Sequence, residues 1–224
     1  MTKIFKCVEL EPETKGKKKS MQIPENYKLE DGFEEGTLYD IDLKPYLTKF
    51  TKNSWWTKFA FFLILKFRII EYQIVISVKS DSVGNRSDLL HLYEVYRDAK
   101  YNFVLMGACA PHNKKQNAIA SVGFDFFDNT KKSIIINQIQ GVRYKKHLLK
   151  FLRWEKMLVQ ITVDWARKNG FEKVFIQPSK KNHWYTDRRE KNLYLKYNVT
   201  AKRCGFKYNK EKDIFEKQLT ESAY

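Results

Sequence analysis

Three stretches decide the fold: Ser133–Gly141, SIIINQIQG; Trp154–Gly170, WEKMLVQITVDWARKNG; and Lys173–Pro178, KVFIQP. The first, with isoleucine at 134, 135, 136 and 139, reads as a strand over 133–140. The second puts Met157, Leu158, Ile161 and Trp165 on one helical face and stops at Asn169-Gly170. The third is a short strand ended by its proline. A strand, a helix and a strand in that order predict a parallel pair joined by a right-handed crossover.

The segments upstream have a different rhythm. Residues 72–78, 103–109 and 118–127 read as strands, and Asp128-Asn129-Thr130-Lys131 supplies the turn into 133–140. The last three of these four strands, joined by short turns, predict an antiparallel meander. Leu89, Leu92, Tyr93 and Tyr96 have helical spacing within 87–99. Downstream, 192–204 predicts a last helix ending at Gly205, and Phe206 onward predicts a hairpin around Asn209. The expected order is β-α-β-β-β-α-β-α-β, an α/β (α+β) domain with a mixed, mainly antiparallel sheet and flanking helices over 71–224. Residues 1–70 are expected to be an N-terminal extension packed on or tethered to it.

Composition narrows the function classes. The chain has 224 residues with 43% hydrophobic and 15% aromatic content, which excludes wholesale disorder. Its longest apolar run, Phe59–Leu65, is too short to span a bilayer. Trp55–Lys66 is read as a segment docked on a core, with placement on a membrane surface as the alternative. Glu9, Glu11 and Glu13 speak against a secretory leader. Cys7, Cys109 and Cys204 are too far apart for a disulfide framework, so a cytoplasmic setting is expected. His91, His112, His147 and His183 show no metal-ligand spacing, and neither a Walker loop nor a Gly-x-Gly-x-x-Gly motif occurs.

Charge is the positive clue. Forty-two Lys and Arg against twenty-six Asp and Glu give +16, and the part from Gly141 onward carries +12 of it (21 basic, 9 acidic). Anionic partners are implied, or a solvated surface. If residues 143–153 are helical, Arg143, Lys146, Lys150 and Arg153 fall on one face. That stripe could bind coenzyme phosphates, track a nucleic-acid backbone or face solvent.

The element order, with Gln138-Ile139-Gln140-Gly141-Val142-Arg143 at a strand end and Gly205-Phe206 closing the last helix, resembles the GNAT (Gcn5-related N-acetyltransferase) superfamily over roughly 71–219. The resemblance implies that Gln138, Ile139, Gln140, Gly141, Val142 and Arg143 hold acetyl-CoA. Its thioester carbonyl would be bonded by backbone N–H near Ile139 to Gly141, with the pyrophosphate at Gly141–Arg143. The second small position of the motif holds Arg143, whose fork can also grip phosphate. The resemblance further implies direct attack of a substrate amine on the thioester. The position of the family's proton-donating tyrosine is Ala201, so Tyr197, one turn earlier, or Tyr194 stands in, and His183 suits a general base. The alternative is an inactive protein of the same fold that binds nucleic acid through Arg143, Lys146, Lys150 and Arg153.

Overall fold

The computed structural model describes residues 41–52, 54–66, 70–78, 98–109, 117–127, 132–142 and 146–219. Seven strands form one sheet: β1 Ile70–Val78, β2 Tyr101–Cys109, β3 Asn117–Phe126, β4 Ser133–Gly141, β5 Lys173–Ile176, β6 Lys207–Asn209 and β7 Ile214–Gln218, in the order β1-β2-β3-β4-β5-β7-β6. β1 to β4 pair antiparallel, β4 and β5 pair parallel, and β5 pairs antiparallel with β7. The expected mixed sheet is therefore present, with its one parallel pair where the strand-helix-strand reading placed it. The predicted helix over 87–99 and the turn 128–131 lie largely outside the described residues.

α4, Trp154–Lys168, crosses from β4 to β5 and buries the face read from the sequence, with Met157, Leu158 and Ile161 fully enclosed. Its Trp165 meets Phe124 and Phe103 of the meander at ring separations of 5.1 and 5.6 Å. The helix stops because Gly170 takes φ +75, so Phe171 N–H reaches Ala166 C=O and Gly170 N–H reaches Arg167 C=O. The last helix ends in the same way at Gly205, φ +79, with Phe206 N–H on Ala201 C=O. Gly170-Phe171 and Gly205-Phe206 are thus two equivalent helix stops.

The last helix, α5, runs over 190–203 as Glu190–Tyr194, a π-helical turn Leu195–Val199 and a final turn Thr200–Arg203. The π turn takes up an extra residue, which alters which side chains face the sheet beyond it. Before the sheet, α1 (Leu43–Phe50) lays Leu43, Leu47 and Phe50 into the same core. Tyr46 Oη donates to Asp164 of α4 at 2.9 Å, and Thr51 pairs with Leu152. α2 follows at Trp55–Lys66. It docks on the core through Phe61, as the docked-segment reading expects, while Trp55, Trp56, Phe59 and Phe62 are exposed.

β3 shifts register against β4 between Gly123 and Phe124: Gly123 pairs with Gln138 and Phe124 with Ile136, leaving Asn137 as a bulge. Gly123 is required here by space. A Cβ would come within 2.6 Å of Asn102 Oδ1, 2.8 Å of Ala99 Cβ and 2.9 Å of Gln138 Oε1. Gly123→Ala is expected to cost about 1–3 kcal/mol, lowering the melting temperature by roughly 2–4 °C per kcal/mol. Thermal unfolding followed by circular dichroism checks this.

Candidate functional site

Parallel pairing of β4 with β5 ends at Ile136–Ile176, while β4 continues to Gly141. Beyond that point the strands part, and the bulge at Asn137 turns its carbonyl into the opening. That oxygen accepts from Gln177 Nε2 and, at 3.2 Å, from Tyr197 Oη; Asn182 Nδ2 stands 3.5 Å away. Tyr197, from the π turn of α5, is 2% exposed and closes the floor of the opening.

The Tyr197 hydroxyl is fully engaged. Ile139 N–H donates to it at 3.1 Å and Asn182 Nδ2 at 2.7 Å, while it donates to Asn137 C=O. Burial pushes its pKa well above the ordinary tyrosine value, so it is a neutral O–H near pH 7. The two donors aimed at Oη are also the groups that would stabilise a phenolate once its proton is given away. Ala201 lies one turn further along, fully buried as the residue whose carbonyl caps the helix end. Tyr194 is 43% exposed and stands apart from this network.

A cavity of about 530 Å³ opens above Tyr197, lined by Gln138, Ile139, Gln140, Gly141, Asn182 and Tyr197 on the strand side. Asp98, Trp184 and Arg189 line its far wall. His183 is not in that lining. It sits behind it at the surface, with Nε2 3.5 Å from Asp98 Oδ1 and its ring 4.6 Å from Trp184. Trp184 Nε1 holds the other oxygen of Asp98 at 3.0 Å. Asp98 is the acid that reaches the cavity, and sequence reading missed it because it belongs to the stretch taken as a helix.

A second cavity, about 790 Å³, adjoins the first through Gly141 and Lys196, which line both. Seven of its lining residues are cationic: Lys52, Lys146, Lys150, Arg153, Lys156, Lys196 and Arg203, against the single acid Glu155. The stripe expected at 143–153 is not one continuous helix. α3 covers only Lys146–Leu149, and the chain then turns to pair Leu152 with Thr51 before α4 begins. Lys146, Lys150 and Arg153 nonetheless meet at this cavity, while Arg143 lies outside the described residues.

The strand end is arranged differently from an open phosphate cradle. Val142 N–H donates to Ile119 C=O at 2.9 Å. The space above Gly141 is filled by Trp154, the first residue of α4; a Cβ on Gly141 would lie 2.9 Å from its Cζ2. The glycine thus admits an indole ring. A phosphate-bearing ligand fits this site through the side-chain cations of the larger cavity, assisted by the positive end of α4.

Glu155 and Lys196 are enclosed in that cavity and titrate in opposite directions. Burial pushes the Glu155 carboxyl above its ordinary 4.5, against the pull of Lys196, Lys52 and Arg203. Burial also pulls Lys196 below 10.5, Glu155 opposing this and Lys146 adding to it. An anion entering the cavity favours the protonated form of both groups, so binding is expected to take up protons. Calorimetric titration in buffers of different ionisation enthalpy measures this, and Glu155→Gln should reduce the uptake. The same shift gives stability a sign. The folded state holds the Glu155 proton more tightly than the unfolded chain, so its contribution declines as pH rises from about 4.5 through the raised value.

Cys204 is buried, and burial lifts its thiol to about 11, too high for a nucleophile near neutral pH. Cys109 closes β2, and its side chain lies outside the described residues.

No protein-family model matches the chain, and no curated protein matches it in sequence. Solved structures resemble it at low identity. An acetyltransferase of the GNAT family from Staphylococcus aureus Mu50 matches 82% of this chain and 98% of its own, with 13% identity and a TM-score of 0.36. The Escherichia coli GNAT-family N-acetyltransferase YhbS, in complex with CoA, matches 68% and 83%, with 11% identity and a TM-score of 0.40. AtaTR bound with AcCoA matches 83% and 94%, with 9% identity and a TM-score of 0.34. Likeness at this level assigns neither substrate nor mechanism to this chain.

Proposed function

We propose that the chain is a divergent member of the acetyltransferase superfamily that binds acetyl-CoA and transfers its acyl group to an amine by direct attack. The observation that carries this is the pair of adjoining cavities, one at the splay of β4 and β5 over a buried tyrosine hydroxyl, the other ringed by cations at the start of α4. Their succession suits a ligand with an uncharged thioester arm and a polyphosphate tail.

The phosphates are held by Lys146, Lys150, Arg153 and Lys196, with Arg143 as a further candidate. The thioester arm lies along Gln138–Gly141. Ile139 N–H already serves Tyr197, so receiving the thioester carbonyl there means exchanging one acceptor for another. The attacking amine loses its proton toward Asp98, from which His183 can pass it to solvent. As the C–S bond breaks, Tyr197 gives its proton to the departing sulfur; Asn182 Nδ2 stabilises the phenolate left behind, and Ile139 N–H returns to it once the product carbonyl leaves. The bound thioester supplies the activated acyl group; the protein supplies positioning and the two proton transfers.

The test is thiol release from acetyl-CoA in the presence of a panel of primary amines, read with a thiol reagent and confirmed by mass spectrometry of the acceptor. Amine-dependent release is expected. A folded protein that releases no thiol with any acceptor, yet binds RNA in a salt-sensitive way through Lys146, Lys150 and Arg153, would favour a binding role for the same cations.

A further inference from the structure

We propose that the face of α2 carrying Trp55, Trp56, Phe59 and Phe62 docks the protein onto anionic lipid bilayers. These four side chains are 65, 70, 48 and 59% exposed. At 100° per residue, positions 55, 59 and 62 fall within a 60° arc of the helix, with 56 at its flank. The rings form a platform: Trp55 stacks on Phe59 at 5.9 Å with planes 8° apart, and Trp55 meets Trp56 edge-on at 4.4 Å. The opposite side anchors the helix, because Phe61 is 2% exposed with Tyr72 and Phe151 each 6.2 Å away. The aromatic side is therefore presented outward by a helix fixed to the fold.

Charge identifies the occupant. From Leu43 through Ile70 the sequence holds five lysines, one arginine and no acid. Lys49, Lys52 and Lys58 are exposed along this segment. Lys150 joins them, its ammonium 4.7 Å from the ring of Phe151, on which Phe61 packs. Tryptophan and phenylalanine enter the boundary between headgroups and acyl chains, and lysines around them meet anionic headgroups. A helix of twelve residues is about 18 Å long, too short to cross, and among the described residues no helix is long and apolar enough to do so. It lies in the plane of the surface. Lys52 and Lys150 also line the larger cavity, whereas Trp55, Trp56, Lys49 and Lys58 do not, and the variants that test the proposal use only the latter.

Full-length protein is sedimented with sucrose-loaded vesicles of phosphatidylcholine, or of phosphatidylcholine with about 30% phosphatidylglycerol, while tryptophan emission is followed. The expected result is salt-sensitive binding to the anionic vesicles with a blue shift, at least tenfold weaker on phosphatidylcholine alone. Trp55→Ser with Trp56→Ser is expected to lose at least tenfold in binding at an unchanged melting temperature. Lys49→Glu with Lys58→Glu should lose the preference for anionic lipid. Several outcomes overturn the proposal: no sedimentation with either vesicle, wild-type binding by the tryptophan variant, or self-association or RNA binding that this variant abolishes where vesicles do not bind.

Discussion

Tyr197→Phe is expected to lower the turnover of acyl transfer by roughly 10²–10⁴-fold, the usual worth of a positioned proton donor, while acetyl-CoA binding changes little. The substitution keeps the ring in the β4–β5 splay and removes only Oη. It leaves Ile139 N–H and Asn182 Nδ2 without the acceptor they now share, and a buried donor stripped of its partner costs about 1–3 kcal/mol. A fall in melting temperature must therefore accompany the loss of rate, and the two are separable. A structural role alone predicts lower stability with turnover kept below the melting range. A proton-donating role predicts a rate loss that is smaller for thioesters with more acidic leaving thiols. Steady-state kinetics with two such thioesters, beside thermal unfolding, reads both.

The second large effect concerns the larger cavity. Lys150→Glu with Arg153→Glu is expected to weaken acetyl-CoA binding by roughly 10²–10⁴-fold, since each charge-assisted bond is worth about 1.5–3 kcal/mol. Lys150 is exposed and Arg153 half-buried. The fold should survive, because the contacts securing this strap are main-chain bonds: Lys52 N–H to Phe151 C=O and Arg153 N–H to Phe50 C=O. Weakening should be larger at low salt, where the cations act unscreened. Titration of the variant at two ionic strengths checks it. An unchanged affinity would place the phosphates elsewhere.

Much of the framework was legible because periodicity speaks for buried faces. The stripe Met157, Leu158, Ile161, Trp165 and the β-branched run 134–136 announce one surface each, and Gly170-Phe171 and Gly205-Phe206, each after a helical pattern, mark helix stops. The site was legible only in part. Tyr197 could be named from its place near the end of the last helix, but its aim depends on a π turn that residue spacing does not reveal. Gln138 to Gly141 were singled out from their motif, and they line the smaller cavity. That Trp154 fills the space over Gly141 depends on where α4 begins, thirteen residues away. Asp98, Glu155 and Lys196 were missed for a common reason. Each gains its character from elements distant in sequence, Asp98 from Trp184 and His183, Glu155 and Lys196 from mutual burial. The cationic stripe would share one face only if 143–153 were helical; its cations are instead gathered from α3, a turn and the start of α4, with Lys52 and Arg203 joining from elsewhere.

Calorimetric titration of acetyl-CoA into the full-length protein, freed of nucleic acid, is the most direct test of the two-cavity site. Saturable one-to-one binding that weakens with salt and takes up protons is expected. 3′-Dephospho-CoA is expected to bind more weakly, and acetylated cysteamine alone not to bind measurably. Absence of heat and of any thermal shift up to millimolar acetyl-CoA, in a protein that unfolds cooperatively, would contradict it.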